Sequence, residues 1–231
     1  MSAAVVAITI VCAPRCVAAP IVAADDLQED LDNLQTLMLA LHNYHNVFDV
    51  FPKDYFDGAT ALLSWRVALL PFLDEQELFN QFDLTLPWDH PVNAALLGDM
   101  PSVFRSPTSA PGSTDTDYAG GSGPGTMFPG AVSVSLLSVT DGTSNTLMLG
   151  EARNSAIPWT KPADVAVGAC PTLGGSGFAS SFAGAVPFAF VDGGVALIRA
   201  DVDCELLRKL LLRNDGSAID PADAIYTGAV P

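Results

Sequence analysis

Apolar residues between Leu27 and Phe48 fall at Leu27, Leu31, Leu34, Leu37, Met38, Leu41 and Phe48, a one-sided stripe of roughly six helical turns. Asp25 and Asp26 stand where an N-cap and first-turn acids belong, and Pro52 bars the residue before it from the helical region. The pattern then breaks into shorter pieces. LLSWRVALLPFL, DEQELFNQF and a segment containing NAALL each read as a short helix, divided by Pro71, Pro87 and Pro91. From Pro101 onward, short apolar runs alternate with Gly, Ser, Thr and Pro, the punctuation of strands and turns. The spacing predicts strands over Ser133 to Val139, Ser144 to Ala152, and Phe188 to Val191 paired with Val195 to Arg199. Asp192-Gly193-Gly194 between the last two supplies the positive φ that a tight hairpin requires. Asp203-Cys204-Glu205 opens a last helix through LLRKLLLR, acid first and base last, which Asn214-Asp215-Gly216 ends.

Helices followed by strands predict an α+β fold. A chain of 231 residues can form one sizeable core, so residues 25–216 are expected to be a single domain and residues 217–231 a loose tail. Residues 1–24 differ in composition: small and apolar, with one base and no acid, they end in Val22-Ala23-Ala24 before two aspartates. That arrangement predicts an export signal or degenerate anchor with no membrane span left in the mature chain, and hence an extracytoplasmic location: periplasm, cell surface or secreted.

Charge narrows the partners. The chain carries 26 acidic and 10 basic residues, a formal net charge of −16, so it repels a phosphate backbone and lacks the cations that displace counterions; nucleic acid is excluded as a partner. Of four cysteines, Cys12 and Cys16 lie in the export segment. Cys170 and Cys204 remain, either as a disulfide in an oxidising compartment or as two buried thiols, and no spacing suits a thiolate zinc site.

Candidate metal ligands are few. His42 and His45 project from adjacent turns of the first helix and His90 follows Trp88-Asp89, which offers three imidazoles if the fold gathers them. Asp201, Asp203 and Glu205 alternate in a manner compatible with Ca²⁺, as do Asp115 and Asp117, without the Gly and Glu positions of an EF-hand loop. The plainer readings are a polar helix edge for the histidines and a helix N-terminus for the second group of acids. Ser122 and Ser176 lack a nucleophile-elbow pattern, Cys170 has no identifiable base, and no carboxylate pair stands out, so no enzymatic activity is expected.

Three segments carry a resemblance. LHNYHNVFDVFP, then LSWRVALLPFLDEQELFNQFDLTLPWDHPVN, then DGTSNTLMLGEA with PWTKPADV, resemble the planctomycete family called DUF1559, also known as a family of extracellular solute-binding type. The resemblance implies a pseudopilin-like α+β fold, with an amphipathic N-terminal helix packed on an antiparallel sheet and short inserted helices, at the cell surface or secreted. The prepilin methylation motif is missing, Phe182 stands where relatives tend to carry His, and Ser106 where many carry Cys. The expectation is a structural or interaction protein meeting surface proteins or polysaccharide, without a cofactor. Its competitor is a binding module for Ca²⁺, a glycan or a small solute, with Trp65, Trp88 and Trp159 as aromatic platforms. Exposed tryptophans gathered with carboxylates in one cleft would favour the module; buried ones favour the structural reading.

Overall fold

The computed structural model describes residues 24–217 and 219–228; residues 1–24, expected to be an export signal or degenerate anchor, lie outside them apart from Ala24. Helix α1 (Ala24–Phe48) buries Leu27, Asp30, Leu34, Leu37, Met38, Ala40 and Leu41, the helical spacing expected of a docked stripe. Asp30 is the exception in kind, a carboxylate inside the apolar stripe, and Phe48 the exception in place, 54% exposed at the helix end. Asp49 closes the helix at φ 59°, its N–H bonded to the His45 carbonyl.

A hairpin of β1 (Tyr55–Asp57) and β2 (Thr60–Leu63) follows. Ser64 then caps α2 (Trp65–Leu69), accepting the Arg66 N–H, so the run read as one helix is a strand, a cap and a short helix ending in a 3₁₀ turn at Leu70–Phe72. Helices α3 (Gln76–Phe79) and α4 (Pro91–Ala94) occupy the places expected of them. The main sheet contains β3 (Tyr118–Ser122), β4 (Leu147–Glu151), β5 (Val165–Ala166), β6 (Ala185–Phe190) and β7 (Val195–Arg199) in the order β5-β3-β4-β6-β7. All pairings are antiparallel except β5 on β3. Helix α5 (Cys204–Leu211) starts at Asp203, whose carboxylate accepts the N–H groups of Glu205 and Leu206.

The sheet is covered on both faces. Leu34, Leu37, Met38 and Leu41 of α1 share a core with Met148, Ala189 and Val191, whereas Leu207, Leu210 and Leu211 of α5 pack with Leu147, Val186, Phe188 and Phe190. Burial on two sides explains why β6 is a continuous apolar run, and why β4 is one as far as Glu151, without polar alternation. It also requires glycine in the middle: a Cβ on Gly150 would stand 2.3 Å from the ring of Phe188 across the ladder.

Two segments differ from the sequence pattern. Ser133 to Val139 forms a loop with a 3₁₀ turn at Leu136–Ser138 instead of a strand, because its backbone groups bond to the end of α1: the Val134 carbonyl accepts Phe51 N–H, and Leu136 N–H donates to His45 Nε2. The segment after Ala218, expected to be loose, lies along β7. Ala224 is buried, Ile225 bridges Ile198, and Tyr226 N–H donates to the Leu197 carbonyl, satisfying an edge strand that would otherwise be open.

Cys170 and Cys204 are bonded, with Cα atoms 5.0 Å apart and a sequence separation of 34. The bond ties the loop after β5 to the first residue of α5. Closing a loop of this length restricts the unfolded chain enough to stabilise the fold by about 2–4 kcal/mol. Reduction, or Cys170→Ser with Cys204→Ser, is therefore expected to lower the thermal midpoint by roughly 5–15 °C. Scanning calorimetry with and without reductant checks this.

Candidate functional site

Ser64, Trp65 and Arg66 sit at the start of α2, where the chain leaves β2 and turns inward. Arg66 has no exposed surface. Its Nη2 donates to Asp164 Oδ1 at 2.7 Å and to the Tyr118 carbonyl at 3.1 Å, and its Nη1 donates to Ser64 Oγ and the Ala163 carbonyl. Only Nε has no partner. Asp164 answers with both oxygens, accepting Gly120 N–H on Oδ1 and Trp65 Nε1–H on Oδ2. A charge this deep is held only because its counter-charge and hydrogen bonds are in place.

The network is backed by a stack. The Arg66 guanidinium lies 4.5 Å from the Trp65 ring centroid, and Trp65 stacks on Phe128 at 4.7 Å. Phe128 in turn lies over Gly120, where a Cβ would meet its ring at 2.1 Å. Asp54, 9% exposed, accepts Trp65 N–H on Oδ1 at 2.9 Å. Burial, then the neighbouring charge of Asp164, push its carboxyl up to about 7, against the opposing pull of its backbone bond and Arg66.

A cavity of about 400 Å³, open to solvent, lies beside this network. Asp54, Asp164, Phe56, Phe128, Ser122 and the proline-rich loops at Pro129 and Pro162 line it.

A second polar cluster joins α1 to the sheet. Asp30 accepts from the Tyr118 hydroxyl on one oxygen and from Ser106 Oγ, at 3.2 Å, on the other. Asp117 accepts Ser106 N–H and Ser109 Oγ–H. Glu151, opposite Tyr118 in the ladder, is fully buried, and among the described residues the Ser180 hydroxyl lies close enough to ease its carboxyl without the geometry of a full hydrogen bond. Burial first, then the charges of Asp30 and Asp117, raise the Glu151 carboxyl to about 8, with the Ser180 hydroxyl and Arg153 offsetting part of the rise. Asp30 is raised to about 6 by burial, eased by Tyr118 and Ser106. Glu151 therefore holds its proton at neutral pH, whereas Asp30 gives its own up below neutrality. They do not line the cavity beside Asp54.

The structure disperses the candidate metal ligands. His42 Nε2 bonds to the Val191 carbonyl at 2.8 Å, His45 Nε2 accepts from Leu136, and His90 Nδ1 caps α4 by accepting Val92 N–H. Asp201 pairs with Arg199, Asp203 caps α5, and Glu205 faces Arg208 at 3.6 Å. Asp115 is in an isolated bridge with Pro158, while Asp117 belongs to the buried cluster. Among the described residues no group of three or more His, Cys, Asp or Glu side chains is placed to hold a metal ion. Trp65 and Trp159 are buried, the latter donating Nε1–H to the Leu97 carbonyl, and Trp88 lies half-buried under Lys161. Ser106 and Phe182 both face inward, Ser106 onto Asp30. Sequence reasoning missed Arg66, Asp164, Asp54 and Glu151. Arg66 and Asp164 lie inside the SWRV and PADV strings, where a charge flanked by bulky apolar residues was the available signal.

The family model described as "Protein of unknown function (DUF1559)", of the type named SBP_bac_10, matches residues 32–172. The chain belongs to this family. No curated protein and no solved structure matches it. The matched span contains Asp54, Trp65, Arg66, Asp117, Tyr118, Glu151 and Asp164, so both buried networks, Asp30 aside, are built within it.

Proposed function

We propose that this protein is a non-enzymatic structural or interaction protein, exported from the cytoplasm, whose domain is of the pseudopilin-head kind and meets proteins or polysaccharide at the cell surface. The observation that carries the reading is the placement of the tryptophans. Trp65 and Trp159 are at most 1% exposed with their indole N–H groups bonded internally, so they brace the fold rather than offer aromatic platforms. A disulfide that closes in the fold supports an oxidising location. Among the described residues no helix is long and apolar enough to cross a membrane.

The test is thermal unfolding of the protein purified from an exporting host, with EDTA, Ca²⁺ and panels of neutral and acidic glycans. A ligand at a hundred times its dissociation constant would stabilise the fold by about 2.7 kcal/mol and move the midpoint by several degrees. No shift across this panel, together with a protein partner captured by cross-linking on intact cells, is the expected result. A selective shift with Ca²⁺ or one glycan would replace the structural reading with a binding module.

A further inference from the structure

The cavity beside β1 is built around one carboxylate oxygen with nothing to bind. Asp54 Oδ1 accepts Trp65 N–H, but among the described residues Oδ2 accepts no hydrogen bond, and it keeps contact with solvent although its residue is only 9% exposed. Asp164 is not free in the same way, since Arg66, Gly120 and Trp65 occupy both its oxygens. The local charges are therefore Asp54 and Asp164 against Arg66, which leaves one negative charge uncompensated when Asp54 is ionised. Lys53, on the adjoining narrow cleft, donates its ammonium to the Ala131 carbonyl and forms no ion pair with Asp54. The remaining walls are Phe56, Ser122, Ala163, prolines, glycines and Phe128, whose ring is stacked on Trp65 and lies over Gly120.

We propose that this cavity is a binding site for an alkylammonium group, with Asp54 Oδ2 as the anionic partner and the Phe56 ring as an aromatic wall. A free carboxylate beside an aromatic ring suits an organic cation, whose charge meets the oxygen and the ring quadrupole while its carbon chain covers apolar surface. Ca²⁺ needs six or more oxygen ligands and Zn²⁺ about four donors, and one free carboxylate oxygen supplies neither set. Anions are repelled, and a sugar would find, among the described residues, only Ser122 and Asp54 as free side-chain hydrogen-bonding groups on walls otherwise of Phe, Pro, Gly and Ala. A volume of about 400 Å³ admits a lysine-sized chain. The inference rests on the cavity and not on the structural reading above, so the two fail separately.

Calorimetric titration of the purified protein tests it, with n-butylammonium, the tripeptide Gly-Lys-Gly, n-butanol as the neutral isostere, and Ca²⁺. Expected is saturable binding of the ammonium compounds, with n-butanol at least about tenfold weaker. A tighter fit for the tripeptide assigns the site to a lysine side chain of a partner; a tighter fit for butylammonium assigns it to a small free amine. Asp54→Asn, which keeps the acceptor for Trp65 N–H, should weaken binding at least about tenfold. Phe56→Ala, which leaves the buried network untouched, should weaken it roughly two- to fivefold. Affinity of the unaltered protein should rise about tenfold or more between pH 5.5 and 8, as the Asp54 carboxyl, raised to about 7 under the influence of burial, Asp164 and Arg66, loses its proton. Equal binding of n-butanol, binding unchanged in Asp54→Asn, preference for Ca²⁺, or no binding by either ammonium compound would each overturn the proposal.

Discussion

Asp164→Ala is expected to cost the protein about 3–5 kcal/mol of folding stability, the largest loss foreseen for a single side chain. The reason is Arg66. Its guanidinium has no exposed surface, so once Asp164 is gone the charge keeps its desolvation penalty and loses the partner 2.7 Å away. Gly120 N–H and Trp65 Nε1–H lose their acceptor in the same step. Asp164→Asn should be nearly as damaging, because an amide preserves the shape without the charge. Arg66→Met should be comparably costly, leaving an aspartate 3% exposed without its cation. The pair with Met at 66 and Asn at 164 should then lose less than the sum of the single losses by about 2 kcal/mol or more, since no unpaired charge remains. Urea unfolding of the four proteins reads this coupling directly. Additive losses would mean that the two side chains are stabilised by their separate hydrogen bonds and not by each other.

This pairing spans 98 residues of sequence, and that distance separates what the sequence shows from what it hides. Elements whose signal is local are legible: the one-sided stripe of α1, the Asp192-Gly193-Gly194 hairpin with Gly193 at φ 91°, and the acid cap of α5 all lie where the pattern puts them. Elements decided by a distant partner are not. Ser133 to Val139 has strand-like composition, yet its backbone bonds are taken by Phe51 and His45 at the end of α1. Residues 219–228 offer only scattered apolar side chains, but the exposed edge of β7 gives them hydrogen bonds that no local rule anticipates. The candidate site follows the same division. Histidines and alternating acids attract attention because they are adjacent in sequence, and each of those histidines is engaged by nearby backbone instead. Asp54, Arg66 and Asp164 come from three separate segments, and only the arrival of β3 and β5 beside α2 brings them together. Asp30 is disguised in another way: it occupies a core position of an amphipathic helix and is accepted there because Tyr118 and Ser106 bond to both its oxygens.

Glu151 gives the second large effect, in the direction opposite to ordinary acid denaturation. Its carboxyl is raised to about 8 in the fold, compared with about 4.3 in an unfolded chain. A raised group binds its proton more tightly in the folded state, so its contribution is fully present below the unfolded value and is lost as pH rises through the folded one. Between about pH 4.5 and 8 the unfolded state releases a proton that the folded state retains, and stability falls across that window. Asp30, raised to about 6, adds to the fall over its lower part, and Asp54, raised to about 7, over its middle. The protein should therefore be more stable near pH 5 than near pH 8, with Glu151 responsible for a difference on the order of 4 kcal/mol. Glu151→Gln removes this proton from the cycle while keeping the volume. The variant should match the unaltered protein near pH 5 and exceed it by several kcal/mol at pH 8, with its remaining pH dependence confined mainly to the range of Asp30 and Asp54. Denaturant midpoints for both proteins at intervals from pH 4.5 to 9 provide the comparison, and because repulsion from the net charge of −16 acts on both, their difference isolates the buried group. A constant difference at every pH would show that Glu151 is ionised in the folded protein with a counter-charge to hold it. A difference that opens between pH 5 and 8 would show that the seam between α1 and the sheet is closed by protonated carboxyls, and that alkaline pH loosens it.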